Sequence, residues 1–322
     1  MILILVTITF VLLRVAPSDP VRVMLGGRNV SQELLKQKRK EFGFDRPLHI
    51  QYYEYMRQVV TGSFGDSLRT GRPVIKDIFL KFPATIELAI FSMMIAIVLG
   101  LATGTQAAVH ADKALDHGIR MFNIGAFSTP IFWMGMMFQL FFGVILNVLP
   151  VTGRLSSINS AFFDPMTRMY VLDSILQLDL AVLIDSLKHL ALPSLTLGLI
   201  LSGLQGRMTR SSMLEVLDQE YVTAARAKGL TEQQVNYQHA LRNALIPIIT
   251  TMGMQFALLF AGAALTETTF SWPGIARYLI LSIEARDYPA IQGTIVFIAI
   301  FISTVNLIVD VINAQLDPKV RY

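Results

Sequence analysis

Long apolar stretches limit what this chain can fold into more than any other feature of its sequence. A stretch of roughly 20 apolar residues crosses a bilayer as a helix, because the lipid offers no partner to backbone N–H and C=O groups. The sequence has six candidate stretches, of which only the first is clearly shorter than that length: residues 1–13, 84–108, 119–149, 189–207, 245–266 and 290–314. We therefore predict an all-α membrane protein with about six transmembrane helices.

Composition agrees with a membrane protein and excludes several other classes. Of the 322 residues, 53% are hydrophobic and 16% are charged, against about 25% charged residues in a soluble domain. The net charge of +4 is small and no basic run is interleaved with aromatic residues, so no nucleic-acid partner is predicted. The absence of cysteine excludes disulfides, thiolate metal ligands and cysteine nucleophiles.

The motifs of nucleotide-binding and hydrolytic chemistry are absent from the sequence. There is no G-x-x-x-x-G-K-[ST], and the dipeptide Gly-Lys does not occur, so this chain has no loop for ATP phosphates. Neither H-E-x-x-H nor G-x-S-x-G is present. The histidines are scattered over different loops: His49, His110, His117, His189 and His239. We predict no catalytic residue, no metal site and no cofactor bound by this chain itself.

A polar island interrupts the apolar pattern at residues 220–247, between the fourth and fifth stretches. Apolar residues recur in it and just before it at three- and four-residue spacing, which favours a helix with one apolar face: Leu214, Leu217, Tyr221 and Ala225. Gly229 suits the left-handed position after a helix end, and Thr231 with Gln234 is typical of a capping box that begins a second helix. Two short helices between two spans indicate a surface offered to a partner in water.

The polar island resembles the cytoplasmic loop that membrane subunits of ATP-binding-cassette (ABC) importers share, which runs E-A-A-x-x-x-G and, further on, I-x-L-P. Thr223-Ala224-Ala225 and Gly229 match its first part, with threonine where the glutamate would be. His239-Ala240-Leu241-Arg242 stands at the second part, where only the leucine fits. The longer strings A-R-A-K-G-L and H-A-L-R-N-A-L-I-P are similar to the peptide and nickel branch, in which these departures are usual. The alternative is an ordinary solvated connector.

Other strings extend the resemblance to that branch over most of the chain. They are F-G-F-D-R-P-L and G-S-F-G-D-S-L-R-T-G-R-P-V before the second stretch, E-T-T-F-S-W-P-G and A-R-D-Y-P-A-I-Q-G before the last, and L-D-P-K-V-R-Y at the end. Relatives carry a short basic segment before the first helix, so the true start of this chain is left open. A signal peptide is the other interpretation of residues 1–13, but a basic n-region and a cleavage site are lacking.

The resemblance implies a permease subunit like those of type I ABC importers, without catalytic function of its own. It assigns ATPase coupling to the 209–244 loop and to these residues in it: Glu220, Thr223, Ala224, Ala225, Ala227, Gly229, His239 and Leu241. It also implies a second homologous permease, two ATPase subunits that hold ATP and Mg²⁺, and an extracytoplasmic substrate-binding protein. The implied cargo is a di- or oligopeptide. Nickel complexes, glutathione or another small solute remain alternatives, as does an ATP-independent secondary transporter.

The implied organisation is a first transmembrane helix at 1–16, an extracytoplasmic loop at 17–82 and a permease domain at 83–322. The distribution of Lys and Arg residues supports a cytoplasmic polar island if the long first loop is left out of the count. That loop is left out because loops above about 60 residues translocate largely regardless of charge. The inner segments carry nine Lys and Arg residues and the two shorter outer loops five, with twelve more in 17–81. We expect a lipid-embedded, multi-pass protein of a bacterial or archaeal cytoplasmic membrane, with both termini inside.

The loops carry further candidate features. Helices are predicted at 31–40 and 49–60, followed by a glycine-rich turn region at 62–73. This first loop is either a cap for the binding protein or a lid on the chain's own helices. The 150–188 loop has aspartates that either attract a peptide amino group or form a solvated face: Asp164, Asp173, Asp179 and Asp185. Residues 275–283 suit a re-entrant or interfacial helix.

Polar side chains inside the spans are the candidates for a translocation pathway, because they are unfavourable in lipid and usually face a bundle interior. We predict that the following line the pathway: Gln139, Gln205, Gln255 and Asn306. Hydrogen bonding between helices is the alternative role of each. Two prolines also bear on the spans. Pro130 predicts a kink or a broken start in the third, and Pro193 lies in the first turn of the fourth, where proline is tolerated.

Overall fold

The computed structural model describes residues 2–14, 31–41 and 43–316. Within these ranges the elements are helices joined by loops, in this order: α1 Ile2–Arg14, α2 Gln32–Glu41, α3 Leu48–Thr61, α4 Val74–Val109, α5 Ala114–Ser128, α6 Ile131–Phe138, α7 Ser157–Phe162, α8 Tyr170–Leu176, α9 Leu180–Leu217, α10 Glu220–Ala227, α11 Glu232–Gln234, α12 Leu241–Thr269, α13 Ile275–Glu284 and α14 Tyr288–Leu316. Two π-helical segments, Gln139–Ile145 and Val235–Ala240, continue α6 and α11. The predicted all-α class is confirmed. Residues 15–16 of the predicted first helix, residues 17–30 and 42 of the predicted first loop, and the C-terminal string from residue 317 onward lie outside the described residues.

Helices occur at every predicted apolar stretch. Within the described residues, three of them are long and apolar enough to cross a membrane on their own: α4, α9 and α14. Two further spans result if the bent runs Ala114–Ile145 and Glu232–Phe260 each count as one, whereas α1 is shorter. The helical membrane architecture is thus confirmed, and the count of six stays a prediction.

The chain breaks sharply at Pro130, as one of the two predicted alternatives requires. α5 ends at Ser128, and the helical run that begins with α6 leaves at an angle of 102° to it. Thr129 is extended, with φ −75° and ψ 129°, because a proline disfavours helical geometry in the residue before it. The third apolar stretch is therefore a broken helix.

α9 begins earlier than the apolar pattern predicts, which shortens the 150–188 loop. Its N-cap is Asp179, whose side chain accepts a hydrogen bond from the Val182 N–H at 3.0 Å. Pro193 therefore lies well inside the helix and not in its first turn, which corrects the prediction for this residue. α4 likewise starts at Val74, so the end of the predicted 17–82 loop is helical.

The chain divides into two compact units, the first formed by Met1–Pro83 and Gly274–Thr304. Aromatic rings of α1 and α3 pack together in this unit. The ring of Phe10 lies 5.2 Å from that of Tyr52 and 5.6 Å from that of Tyr55, between centroids. The predicted helices of the first loop are confirmed as α2 and α3, and Gly62 follows the end of α3 in a left-handed conformation with φ 67°.

The turn region at 62–73 is fastened within the first unit by polar contacts. Ser67 Oγ donates to Asp287 Oδ2 at 2.5 Å, and the Arg69 N–H donates to the same oxygen at 3.2 Å. Both Ser67 and Asp287 are buried. Residues 43–73 of the first loop therefore pack on the chain's own first unit, as the lid alternative predicts, and a contact of this lid with a binding protein stays a prediction.

The predicted helix at 275–283 is confirmed as α13, and its Tyr278 joins the same polar network. The Tyr278 hydroxyl donates to Asp77 Oδ2 at 3.4 Å, and Thr70 Oγ1 donates to that oxygen at 2.5 Å. Burial, and then the nearby Asp77 carboxylate, raise the pKa of Tyr278 to about 12. Its phenol is therefore neutral at physiological pH and available as a donor.

The second unit, formed by Ala84–Pro273 and Val305–Tyr322, is built around α9. This helix packs against α5, α6, α8 and α12. α4 approaches it through Gly100 and Gly104, because a Cβ at Gly104 would lie 2.4 Å from the Thr209 Cβ. Their G-x-x-x-G spacing lets two membrane helices pack with their backbones close together. α9 leads from this core into the polar island.

Candidate functional site

The polar island folds as two helical segments around a glycine turn. α9 ends at Leu217, and α10 begins at Glu220 and ends at Ala227. Gly229 follows with φ +81°, so the predicted left-handed turn is confirmed. A Cβ built on Gly229 meets no atom within 4 Å. Backbone strain, and not a clash, therefore opposes a larger residue at this position.

A capping box begins the second segment, as predicted. The Thr231 hydroxyl accepts from the Gln234 N–H at 3.3 Å, and the Gln234 side-chain oxygen accepts from the Thr231 N–H at 3.0 Å. Arg226 and Glu232 form an ion pair across the turn at 3.0 Å, but exposed pairs of this kind contribute only about 0–1 kcal/mol. The glycine and the capping box therefore define the turn.

The inner face of the island is a small apolar cluster. Its buried members are Val222, Ala225 and Val235, and half-buried residues pack against them: Val216, Leu217 and Leu230. The predicted apolar stripe is wrong at Tyr221, which is 42% exposed. The reason is that α9 and α10 are separate helices, so the helical spacing does not continue across the break between them.

The outer face carries most of the residues to which the resemblance assigns coupling. Five of them are exposed: Glu220, Thr223, Ala224, Ala227 and Gly229. His239 and Leu241 are half-buried, and Ala225 is only 7% exposed. Ala225 therefore belongs to the inner cluster and not to the presented surface, which corrects that part of the prediction. The exposed alanines and the glycine project little beyond the backbone, so another chain can approach closely.

The island is attached to the ends of three long helices. A buried apolar cluster joins it to α4, α9 and α12: Ala108, Met213, Ala240, Ala244 and Ile248. Hydrogen bonds add to this attachment, from Asn243 Nδ2 to Tyr221 Oη at 2.8 Å and from Gln106 Nε2 to Tyr237 Oη at 2.9 Å. The island is therefore packed directly on the ends of these helices.

The predicted pathway residues mostly make contacts between elements in this structure. Gln205 and Gln255 are 0% and 2% exposed, and the Gln255 amide donates to the Gln205 side-chain oxygen at 2.9 Å. The Gln139 amide donates to two backbone carbonyl oxygens, at 2.8 and 3.1 Å. Asn306 is half-buried on α14. The three glutamines thus hold elements together here, and a role in lining a pathway stays a prediction for all four residues.

Three of the four aspartates in the 150–188 loop stabilise local structure. Asp173 accepts two backbone N–H groups, at 2.8 and 2.9 Å. Asp185 accepts a backbone N–H at 2.9 Å and a hydroxyl at 2.7 Å, and Asp179 caps α9. Asp173 is buried with donors on both oxygens, so neither predicted role holds for it, whereas for the half-buried Asp179 and Asp185 both roles stay predictions. Asp164 is exposed and fits the solvated face.

The sequence does not predict one buried charge cluster of the second unit. Glu87 and Arg154 form an ion pair, and the two residues are 1% and 7% exposed. The Val171 N–H donates to the same carboxylate at 2.7 Å, and the Arg154 guanidinium lies 3.7 Å from the centroid of the Tyr170 ring. Glu87 is visible as a carboxylate in an apolar stretch, where a partner is expected, but nothing in the sequence identifies Arg154 as that partner.

Comparison with known sequences decides the family. A profile of the family described as binding-protein-dependent transport system inner membrane component matches residues 84–322. A profile of the N-terminal part of this membrane component matches residues 1–89. The chain belongs to this family. It is thus a component of the inner membrane, and the resemblance noted in the polar island is confirmed.

Relatives in the family match over nearly the whole chain. The di/tripeptide transport system permease protein DppB of Pseudomonas aeruginosa (strain UCBPP-PA14) is 41% identical over 98% of this chain and 93% of its own length. The dipeptide transport system permease protein DppB of Escherichia coli (strain K12) is 40% identical over the same shares. The glutathione transport system permease protein GsiC of Salmonella choleraesuis (strain SC-B67) is 35% identical over 100% and 95%. All three are named as permease proteins.

A solved structure shares the fold. A chain from the inward-facing conformations of the MetNI methionine ABC transporter gives a TM-score of 0.55 at 16% sequence identity. The match covers 73% of this chain and 93% of that one. At this identity the likeness concerns the fold alone, which is therefore one found in an ABC transporter.

Proposed function

We propose that this chain is the transmembrane permease subunit of an ATP-driven ABC importer that carries di- and oligopeptides across the cytoplasmic membrane. The supporting observation is the identity of 41% and 40%, over 98% of the chain, to permeases named for di/tripeptide and dipeptide transport. The relative named for glutathione, at 35%, makes glutathione the second candidate cargo. The family's dependence on a binding protein argues against an ATP-independent secondary transporter.

The proposed assembly contains a second homologous permease, two ATPase subunits and an extracytoplasmic substrate-binding protein. The ATPase subunits hold ATP and Mg²⁺, because this chain lacks a phosphate-binding loop. The polar island and both termini lie in the cytoplasm, and the lid at 43–73 lies outside. The family description, which names a binding-protein-dependent system, supports this assembly.

In the proposed mechanism, the polar island converts closure of the ATPases into movement of the membrane helices. The exposed alanines of α10 and Gly229 let a groove on an ATPase approach the backbone closely. The inner cluster of Val222, Ala225 and Val235 makes both segments of the island move as one body. The cluster at the ends of α4, α9 and α12 passes that movement into the membrane.

Uptake into proteoliposomes tests this function. The chain is coexpressed with a second permease, ATPase subunits and a binding protein of the same organism, and the purified complex is reconstituted. We expect ATP-dependent accumulation of a labelled dipeptide, and no accumulation when this chain is omitted. Accumulation of labelled glutathione without dipeptide uptake would favour the second cargo. Dipeptide uptake that needs no ATP would contradict the proposed function.

A further inference from the structure

A cavity of about 700 Å³ lies in the second unit between α5 and α9. This volume falls within the range of small-molecule sites, roughly 300–1,000 Å³. Its charged lining residues are Asp112, Arg120, Arg207 and Arg210. The lining also includes apolar side chains, among them Ile124, Phe127 and Leu204. None of the individually named coupling and pathway residues lines this cavity, so the roles proposed for those residues do not account for it.

The cavity has an excess of positive charge. The buried Asp116 carboxylate neutralises Arg210. It accepts one hydrogen bond from Arg210 Nε at 2.7 Å and another from Arg210 Nη2 at 2.6 Å. Arg120 and Arg207 are exposed, and neither forms an ion pair with any residue of the described ranges. The guanidinium groups of Arg120, Arg207 and Arg210 thus face the carboxylates of Asp112 and Asp116, which leaves one net positive charge at the cavity.

On both helices, the charged lining residues lie nearer one helix end and the apolar lining residues lie further from that end. On α5, Ile124 and Phe127 lie about one and two turns further from the helix start than Arg120. On α9, Leu204 lies about one turn further from the helix end than Arg207. In the proposed orientation both of these helix ends are cytoplasmic. The arginines then lie nearer the membrane surface, and the apolar residues nearer its centre.

This gradient matches the shape of an anionic phospholipid in the cytoplasmic leaflet. Basic pockets between transmembrane helices on that side bind anionic headgroups, and the planar donor fork of arginine fits phosphate. We propose that Arg120 and Arg207 bind the phosphate of an anionic lipid such as phosphatidylglycerol, with the start of an acyl chain along Ile124 and Phe127. This site rests on the cytoplasmic orientation of the proposed function.

Lipid retention by the purified protein tests the site. The full chain and its coexpressed subunits are purified in a mild detergent with equal amounts of phosphatidylglycerol and phosphatidylcholine, and bound lipid per chain is counted by mass spectrometry. We expect preferential retention of phosphatidylglycerol and at least a fivefold loss of it in the Arg120→Gln/Arg207→Gln variant. Lys113→Gln removes a nearby exposed charge outside the cavity lining, and should change retention less than twofold. Equal retention by the parent and the double variant overturns the proposal.

Competitors distinguish a lipid from other ligands. Excess sn-glycerol 3-phosphate should leave the lipid bound; if it displaces the lipid, the cavity binds a free phosphate ester and the proposal fails. Displacement by a dipeptide would make the cavity a cargo site. If the double variant loses the second permease but keeps the same amount of phosphatidylglycerol per chain, the cavity is a contact between subunits. Both outcomes overturn the proposal.

Two features keep the experiment decisive. If the double variant does not accumulate, Arg207→Gln alone is judged by the same criteria, because Arg207 is exposed and its replacement leaves the Asp116–Arg210 pair intact. Lipid is counted per chain whether or not ATPase subunits copurify. Failure of the proposed importer assembly is therefore seen separately from failure of the lipid site.

Discussion

Glu87 and Arg154 form a buried ion pair between residues 67 positions apart in the chain. The Arg154 guanidinium also lies 3.7 Å from the Tyr170 ring centroid and 5.2 Å from that of Trp272. Removing one member of such a pair leaves the other charge uncompensated and out of water, which is strongly unfavourable. The pair therefore fixes the loop after the third apolar stretch onto α4.

Replacement of Arg154 tests this role. We expect Arg154→Met to destabilise the protein by about 3–5 kcal/mol, because the Glu87 carboxylate stays buried without its cation. Thermal unfolding of the detergent-purified protein measures the change, and Lys188→Met, which removes an exposed lysine of α9, is the control. Adding Glu87→Gln to Arg154→Met should restore part of the stability, because the amide oxygen still accepts from the Val171 N–H. An Arg154→Met protein as stable as the parent would contradict the role of the pair.

Gly229→Val should leave the chain inserted in the membrane but weaken its coupling to the ATPases. A residue with a Cβ is unfavourable in the left-handed region by roughly 1–2 kcal/mol, and Gly229 has φ +81°. Gly229→Asn should be milder, because asparagine tolerates this conformation. ATPase copurification and ATP hydrolysis in reconstituted vesicles measure the effect, with the exposed Gln233→Ala as a silent control. Full coupling in Gly229→Val would mean that the island is only a connector.

Substitutions of two adjacent alanines, Ala224 and Ala225, distinguish the folding of the island from its docking to an ATPase. Ala225→Glu places a charge in the cluster of Val222 and Val235, so we expect faster amide hydrogen exchange over residues 220–240. Ala224→Glu changes an exposed position. It should keep the parent exchange rates and lose ATPase copurification. Identical behaviour of both variants in both measurements would refute the distinction between an inner and an outer face of α10.

Cysteine labelling tests the proposed orientation in a chain that has no native cysteine. Val60 is 86% exposed, so Val60→Cys should react with a membrane-impermeant maleimide on intact cells. Gln233→Cys should react only after the cells are permeabilised. Ser67→Cys controls for burial, because Ser67 is in the same loop as Val60 but only 2% exposed, and it should react only after denaturation. The opposite pattern for Val60 and Gln233 would place the island outside and exclude its contact with ATPases.

The parts of the fold that depend on near neighbours in the chain are predicted well. The apolar stretches locate the long helices, because a backbone in lipid has few ways to satisfy its own hydrogen bonds. Gly229 and Thr231 predict the turn of the polar island, since each acts on groups only a few residues away. The predicted positions of Ala225 and Pro193 are wrong. They depend on the start of α9 at Leu180 and its end at Leu217, and capping and packing set both helix ends.

By itself, the sequence determined the helical class, the family resemblance and the local turn of the island, all of which are properties of contiguous residues. Only the tertiary structure decided which distant side chains meet: Glu87 with Arg154, Gln205 with Gln255, and Asp116 with Arg210. Such pairs depend on which helices are neighbours and on the rotation of each helix about its axis. These are set by the packing of whole helical faces, and the identity of either residue in a pair does not reveal its partner.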